Sequence, residues 1–357
     1  MCENIGIKMI FMKIVADIDI PFLNGVFEPY AEVVYKKGDS ITREDIVDAD
    51  TLIVRTRTKC DESLLGGTAV KMLFTATIGM DHIDMDYCAA NGIHVENAAG
   101  CNAGGVMQYV FSAMYGVAAR KGIKLDGCRF GIIGVGHVGS RVEAMARYIG
   151  ITVLRNDPPR EAVEGPAGFC SLEYLLENSD VVTMHVPLDE TTRGMADETF
   201  FALMKPGAIF INAARGEVVN EDALVAAAPK LGAVVVDTWC NEPDINRKLL
   251  EVADIATPHI AGYSYQGKEN ATIMAVRSVA AFWGIRELSF FYPHDLDEGH
   301  SPILLDLKGK SHGEIAAVFQ YNYPIFTDDF RLRMEPEKFE KLRSNYQYRR
   351  DIYYIED

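Results

Sequence analysis

Two successive series of short apolar runs, each followed by a helical stretch, constrain this chain more than any other feature. In the first series, residues 13–16, 31–35, 51–54, 70–75 and 92–95 read as strands, and Thr42 with Asp45 reads as a helix start. In the second, residues 129–133, 151–154, 181–186, 208–212 and 233–236 read as strands, alternating with helices over 137–149, 171–178, 197–204 and 220–228. Apolar strands that alternate with helices belong in parallel sheets covered on both faces. The expected fold class is therefore α/β, with two doubly wound parallel-sheet domains. Between the series, Val106, Tyr109, Val110, Ala113, Met114 and Val117 recur at helical spacing, which predicts one long helix over 103–121 that Gly122 ends. Past Tyr292 the chain turns richer in charge and aromatics, which predicts a small C-terminal α+β piece.

Composition narrows the classes of partner. The formal net charge of −16 argues against nonspecific binding to nucleic acid or to an anionic membrane, although local basic residues can still build an anion pocket. No apolar run is long enough to span a bilayer, and the opening MCENIGIKMIF lacks the basic start and cleavage site of a signal peptide. Met12 is a candidate natural start. The seven cysteines, Cys2 among them, form no CxxC pair. They read as reduced structural thiols with no metal site, so a cytoplasmic location is expected.

The strongest local motif is Gly134-Val135-Gly136-His137-Val138-Gly139, which follows a strand and opens a helix. Gly134 permits the tight turn, Gly136 lets the backbone approach a pyrophosphate, and Gly139 lets the helix pack on the strand. The helix N-terminus offers N–H groups and positive dipole to the phosphates. Asp157 stands about 20 residues on, at the tip of the next strand, where a ribose would sit. Its carboxylate favours NAD over NADP, while nearby Arg160 keeps the phosphorylated cofactor open.

Hydride transfer from an alcohol needs a base for the hydroxyl proton and a cation for a carboxylate and a developing carbonyl. Arg215 follows a strand in Asn212-Ala213-Ala214-Arg215-Gly216, at the end of the sheet where ligands bind, and its fork matches a carboxylate. Glu242 lies in DTWCNEP and His259 in TPHIAG. A carboxylate beside the imidazole fixes its tautomer and stabilises the imidazolium. His82 and His185 also sit at strand ends and read as supporting residues. His94, His294, His300 and His312 have no constellation around them. Arg55, Arg57 and Lys59 would share one face of an extended strand and form an anion clamp, or else they are solubilising charge.

GVGHVG, MHVPL, LMKPGAIFINAARGEVV, VVVDTWCNEP and ATPHIAG together resemble the D-2-hydroxyacid dehydrogenase family over roughly residues 12–290. The resemblance implies a Rossmann NAD domain over 113–258 and a discontinuous, flavodoxin-like substrate domain over 12–112 plus 259–290, with NAD in the cleft. It implies catalysis by Arg215, Glu242 and His259. NAD would be bound by Gly134, Gly136, His137, Val138, Gly139, Asp157, Ala213, Ala214, Asp237 and Gly262. The amides near Ile78 and Gly79 would hold the substrate carboxylate. VRTRTKCDESLL, FTATIGMDHID, NDPPR and TPHIAGYSYQGK look like a branch of the family that oxidises 4-phosphoerythronate. That branch implies substrate contacts from Thr56, Thr77 and Tyr263, and Arg55 of the basic run is a further candidate substrate contact. The tail KFEKLRSNYQYRR resembles the branch's C-terminal dimerisation domain, here 291–357. It implies a homodimer in which Arg349 and Arg350 reach the partner's site. The other readings are a dehydrogenase for 3-phosphoglycerate, glycerate or another 2-hydroxy acid, and an NAD-sensing protein without turnover.

Overall fold

The computed structural model describes residues 12–293 and 298–355; the patch at 1–11, Cys2 and His294 lie outside them. The chain divides into two compact units. One comprises the residues up to Asn102 with Tyr265–Ser301, the other Ala103–Ser264 with the chain from Pro302 onward.

The first unit carries a five-stranded parallel sheet: β1 (Lys13–Asp17), β2 (Glu32–Lys36), β3 (Thr51–Val54), β4 (Met72–Thr75) and β5 (His94–Asn97), in the order β2-β1-β3-β4-β5. This is the flavodoxin-like order. Strand period 2 sends alternate side chains to opposite faces. Ile14, Ala16, Ile53 and Phe74 pack on Ala275, Val276 and Val279 of the helix Tyr265–Trp283. Val15, Leu52, Val54 and Leu73 pack on Ile46, Leu64 and Cys88 of the other face. Both faces are covered, so these strands read as continuous apolar runs. The start at Thr42 is a capping box with Asp45, as its spacing predicts.

The second unit carries β6 (Arg129–Ile133), β7 (Thr152–Asn156), β8 (Val181–Met184), β9 (Ile209–Asn212), β10 (Ala233–Val236) and β11 (Ile255–Ala256), in the order β11-β10-β9-β8-β6-β7. Phe130, Ile132, Ile211 and Val235 face the helix Ala103–Lys121; Val182, Met184, Phe210 and Val234 face Leu175, Phe200 and Leu224. Every residue from Ala103 to Ala118 is buried. The helix His312–Asn322 covers its outer side: Phe111 stacks between Phe130 and Phe319, and Gln320 Nε2 donates to Ser112 O at 2.7 Å. The residues after Pro302 thus pack within this unit, and they add a small parallel sheet of β12 (Ile303–Leu305) and β13 (Ile352–Tyr354). The helix Phe326–Met334 closes the sheet edge: Asp329 accepts the Ala256 amide at 2.7 Å, and Arg333 donates to Leu250 O and Ala253 O. Strand β11 is two residues long, too short for periodicity to announce it.

Candidate active site

Strand β6 runs into the glycine turn and the helix His137–Tyr148. Gly134 has φ +82°, and a Cβ there would meet His185 backbone at 2.8 Å. At Gly139 a Cβ would stand 2.1 Å from Gly134 O, so only glycine lets this helix approach its own turn. Gly136 has open space where a Cβ would stand, and no side chain caps the helix that follows. An uncapped N-terminus over open space is shaped for a phosphate. Asp157, at the tip of β7, accepts the Val135 amide at 2.7 Å and the Arg160 amide at 3.0 Å. Arg160 Nη1 donates to Val135 O at 2.7 Å and to Ser140 Oγ at 3.0 Å. The guanidinium that kept NADP open is thus bonded to the turn itself, and a dinucleotide with a free 2′-hydroxyl fits these residues.

Glu242 and His259 come together from separate turns of the same unit. His259 Nδ1 lies 2.8 Å from Glu242 Oε2 and 3.1 Å from Oε1. The Trp239 amide donates to Oε1 at 3.0 Å. Burial opposes ionisation of Glu242, but His259, the Trp239 amide and Arg343 outweigh it and hold the carboxyl below the usual carboxylate range. His259 has φ +56°, a left-handed conformation that a side-chain-bearing residue holds only where its surroundings enforce it. Asp237 enforces it. This carboxylate, 1% exposed, accepts the Thr257 hydroxyl at 2.6 Å, the Ile260 amide at 2.8 Å and the Ala261 amide at 2.9 Å, and its carbonyl accepts the His259 amide at 2.8 Å. Burial pushes its carboxyl up, against the His259 charge and these hydrogen bonds. Tyr109 adds a hydroxyl contact to Thr257 at 2.7 Å. Asp237 therefore lies beneath the histidine loop as its anchor.

Arg215 follows β9, with Nη1 donating to Ala214 O at 2.8 Å. Asn212 shapes its turn by accepting the Ala214 amide and donating to Arg215 O. A Cβ at Gly216 would stand 2.0 Å from the Trp239 carbonyl carbon, so glycine lets the arginine turn touch the glutamate turn. Ala213 and Gly262 are half-buried, and Ala214 is buried. Burial lowers His185 to about 3, so it is neutral and bonds Thr183 at 3.1 Å.

Within the first unit, Thr77 Oγ1 lies 2.8 Å from Thr75 Oγ1, and Asn97 Nδ2 donates to Ile78 O at 2.7 Å, which fixes the turn through Gly79. Burial lowers the His82 pKa, and its ring bonds Thr75 at 3.1 Å. Thr56 is exposed. The shared basic face expected of Arg55, Arg57 and Lys59 is corrected. β3 ends at Val54 and the chain turns, Arg55 pairs with Asp17 and Asp19 at 2.8 Å each, and Lys59 pairs with Asp61.

Sequence reasoning missed Arg343, whose Nη1 lies 3.5 Å from Glu242 Oε2 and whose Nε donates to the Tyr263 hydroxyl at 3.2 Å. Its one signal was its place in a basic, aromatic tail. Arg349 is corrected in the other direction. It is buried in its own unit, donating to Ile260 O, Ala261 O and Gly105 O with the Tyr323 ring 4.3 Å away, so it does not extend toward a partner. Among the described residues no cluster of His, Cys, Asp or Glu could hold a metal.

Residues 108–261 match the NAD-binding domain model of the D-isomer-specific 2-hydroxyacid dehydrogenases. The chain is 44% identical over 347 residues to erythronate-4-phosphate dehydrogenase of Bacteroides thetaiotaomicron and 42% identical to that of Bacteroides fragilis, in each case covering 95% of this chain and 97% of the relative. Among solved structures, NAD-bound 3-phosphoglycerate dehydrogenase of Entamoeba histolytica superposes with a TM-score of 0.65 at 28% identity, covering 78% of this chain and 98% of that one. D-lactate dehydrogenase of Aquifex aeolicus, complexed with NAD and lactic acid, gives 0.62 at 27%, covering 77% and 97%.

Proposed function

The chain belongs to the D-isomer-specific 2-hydroxyacid dehydrogenase family, among its erythronate-4-phosphate dehydrogenases, and is an NAD-dependent oxidoreductase; from that premise we propose that it oxidises 4-phospho-D-erythronate to 3-hydroxy-2-oxo-4-phosphobutanoate in vitamin B6 biosynthesis. The Glu242–His259 pair carries the proposal. NAD, when bound, supplies the hydride acceptor. His259 takes the C2 hydroxyl proton at Nε2, because Nδ1 is held by Glu242. Glu242 stabilises the imidazolium that forms. Arg215 holds the substrate carboxylate and polarises the oxygen that becomes a carbonyl.

The dinucleotide side is formed by Gly134, Gly136, His137, Val138, Gly139, Asp157, Ala213, Ala214 and Gly262, with Asp237 acting through the loop it anchors. Thr56, Thr77, Tyr263 and the turn at Ile78 and Gly79 contact the acid, and Arg55 braces the segment that carries Thr56. A homodimer in the cytoplasm completes the proposal. Leu304, Tyr321, Phe330 and Met334, all in the C-terminal segment, are large apolar side chains left exposed, and no disulfide joins any two of the six described cysteines. Purified protein is given NAD with 4-phosphoerythronate, erythronate or 3-phosphoglycerate, and NADH formation is followed by its absorbance. Selective turnover of 4-phosphoerythronate is expected. Turnover of another acid alone rejects the substrate, and NAD binding without turnover rejects the enzyme.

A further inference from the structure

Glu242 has two nitrogen-bearing neighbours. His259 Nδ1 meets Oε2 at 2.8 Å, and Arg343 Nη1 approaches the same oxygen at 3.5 Å. Arg343 also donates through Nε to the Tyr263 hydroxyl at 3.2 Å, and the Tyr263 ring meets Tyr346 and Tyr348 edge-on at 6.0 and 6.1 Å. The side chain of Arg343 is 28% exposed, and the helix Phe339–Ser344 that carries it is pinned by buried Phe339. One planar fork therefore touches both the carboxylate that orients the histidine and a phenol in the turn just past it.

We propose that Arg343 is a positioning residue for hydride transfer: it holds Glu242 and the Tyr263 hydroxyl in one arrangement and shares the negative charge that Glu242 presents to His259. The proposal rests on the reading that His259 is the base and Tyr263 meets the acid. The carboxyl groups of Glu242 and Asp237 interact with His259, and the carboxyl groups of Glu242 and Glu340 with the neutral Tyr263 hydroxyl interact with Arg343. A second cation on Oε2 weakens the field that favours an imidazolium. Without Arg343 the histidine keeps its proton to higher pH, and the base form needed for oxidation becomes scarcer. Arginine is required because a lysine is a point charge that can replace the field but not the two-point hold.

The test uses the full chain with NAD, as wild type, Arg343→Gln and Arg343→Lys. The kcat and KM for 4-phosphoerythronate are measured across pH, and the His259 ring is titrated by NMR. Arg343→Gln is expected to move the acid limb of kcat/KM and the His259 titration up by about half a pH unit. Arg343→Lys is expected to restore both while KM stays raised about fivefold, the loss expected from one hydrogen bond. A folded Arg343→Gln protein with an unmoved titration overturns the proposal, even where thermal stability falls, because a purely structural role leaves the titration alone. If Arg343→Gln does not fold, Arg343→Lys decides: a raised KM supports the two-point hold and a wild-type KM overturns it. A wild type that turns over no acid rejects the functional reading, and the NMR titration then still decides the role of Arg343.

Discussion

Strand β1 lies between β2 and β3 in the first unit, and β6 lies between β7 and β8 in the second. Open parallel sheets bind ligands at the carboxyl end of that position. The two units finish it with opposite chemistry. β1 ends in Asp17, a buried carboxylate held by Arg55, which also reaches exposed Asp19. Gly38 packs so closely that a Cβ there would stand 2.8 Å from Asp17 Oδ2, and Thr58 donates to Gly38 O at 2.8 Å. β6 instead ends in glycines, open space and an uncapped helix N-terminus. One sheet order thus gives a position closed by carboxylates and another open to phosphate. The residues that follow the strand decide function, not the topology.

The comparison is sharpened first at the chemistry of the second unit. His259→Ala should lower kcat by about a thousandfold, with NAD affinity unchanged by calorimetric titration; equal losses in both would tie the loop to cofactor binding instead. In the first unit, Arg55→Ala leaves Asp17 buried without its cation. Urea unfolding should show a loss of about 2 kcal/mol, discounted because Arg55 is partly exposed. A large rise in KM for the phosphorylated acid at unchanged stability would make Arg55 a phosphate ligand and break the comparison. Gly139→Ala drives a methyl against Gly134 O and should weaken NAD about tenfold. The smallest effect is on pH dependence. Folding lowers the Glu242 pKa, so its pairing stabilises the second unit above the usual carboxylate range, and that contribution is lost as pH falls through the lowered value. Glu242→Gln should flatten this acid loss by about half a kcal/mol in urea unfolding followed from neutral to acidic pH.

Local rules made much of this visible in the sequence. The glycine spacing, the acid after β7 and the caps at Thr42 and Asn220 act within a few residues, and the structure keeps them. Glu242 was legible because it follows a strand, and His259 because it sits in a Pro- and Gly-flanked loop after a short apolar run; the parallel sheet brings both turns to one edge. What stayed hidden depends on contacts that the chain makes at long range. Arg343 meets Glu242 only because the helix Phe339–Ser344 packs back onto the second unit, and Arg349 is buried by Ile260, Ala261 and Gly105, far from it in sequence. The helix Ala103–Lys121 was legible as a helix, but a helix covered all round has no polar face to reveal what covers it. The basic run after β3 misled because alternation implies one face only while the chain stays extended, and it turns after Val54.

The most direct test of the claim that the second unit alone takes the dinucleotide is calorimetric titration of NAD into wild type, Gly136→Asp and Arg55→Ala. Gly136→Asp puts a carboxylate into open space and should spare the fold. The account predicts one NAD bound per chain, lost in Gly136→Asp and kept in Arg55→Ala. Binding that survives Gly136→Asp, or is lost in a folded Arg55→Ala protein, would contradict it.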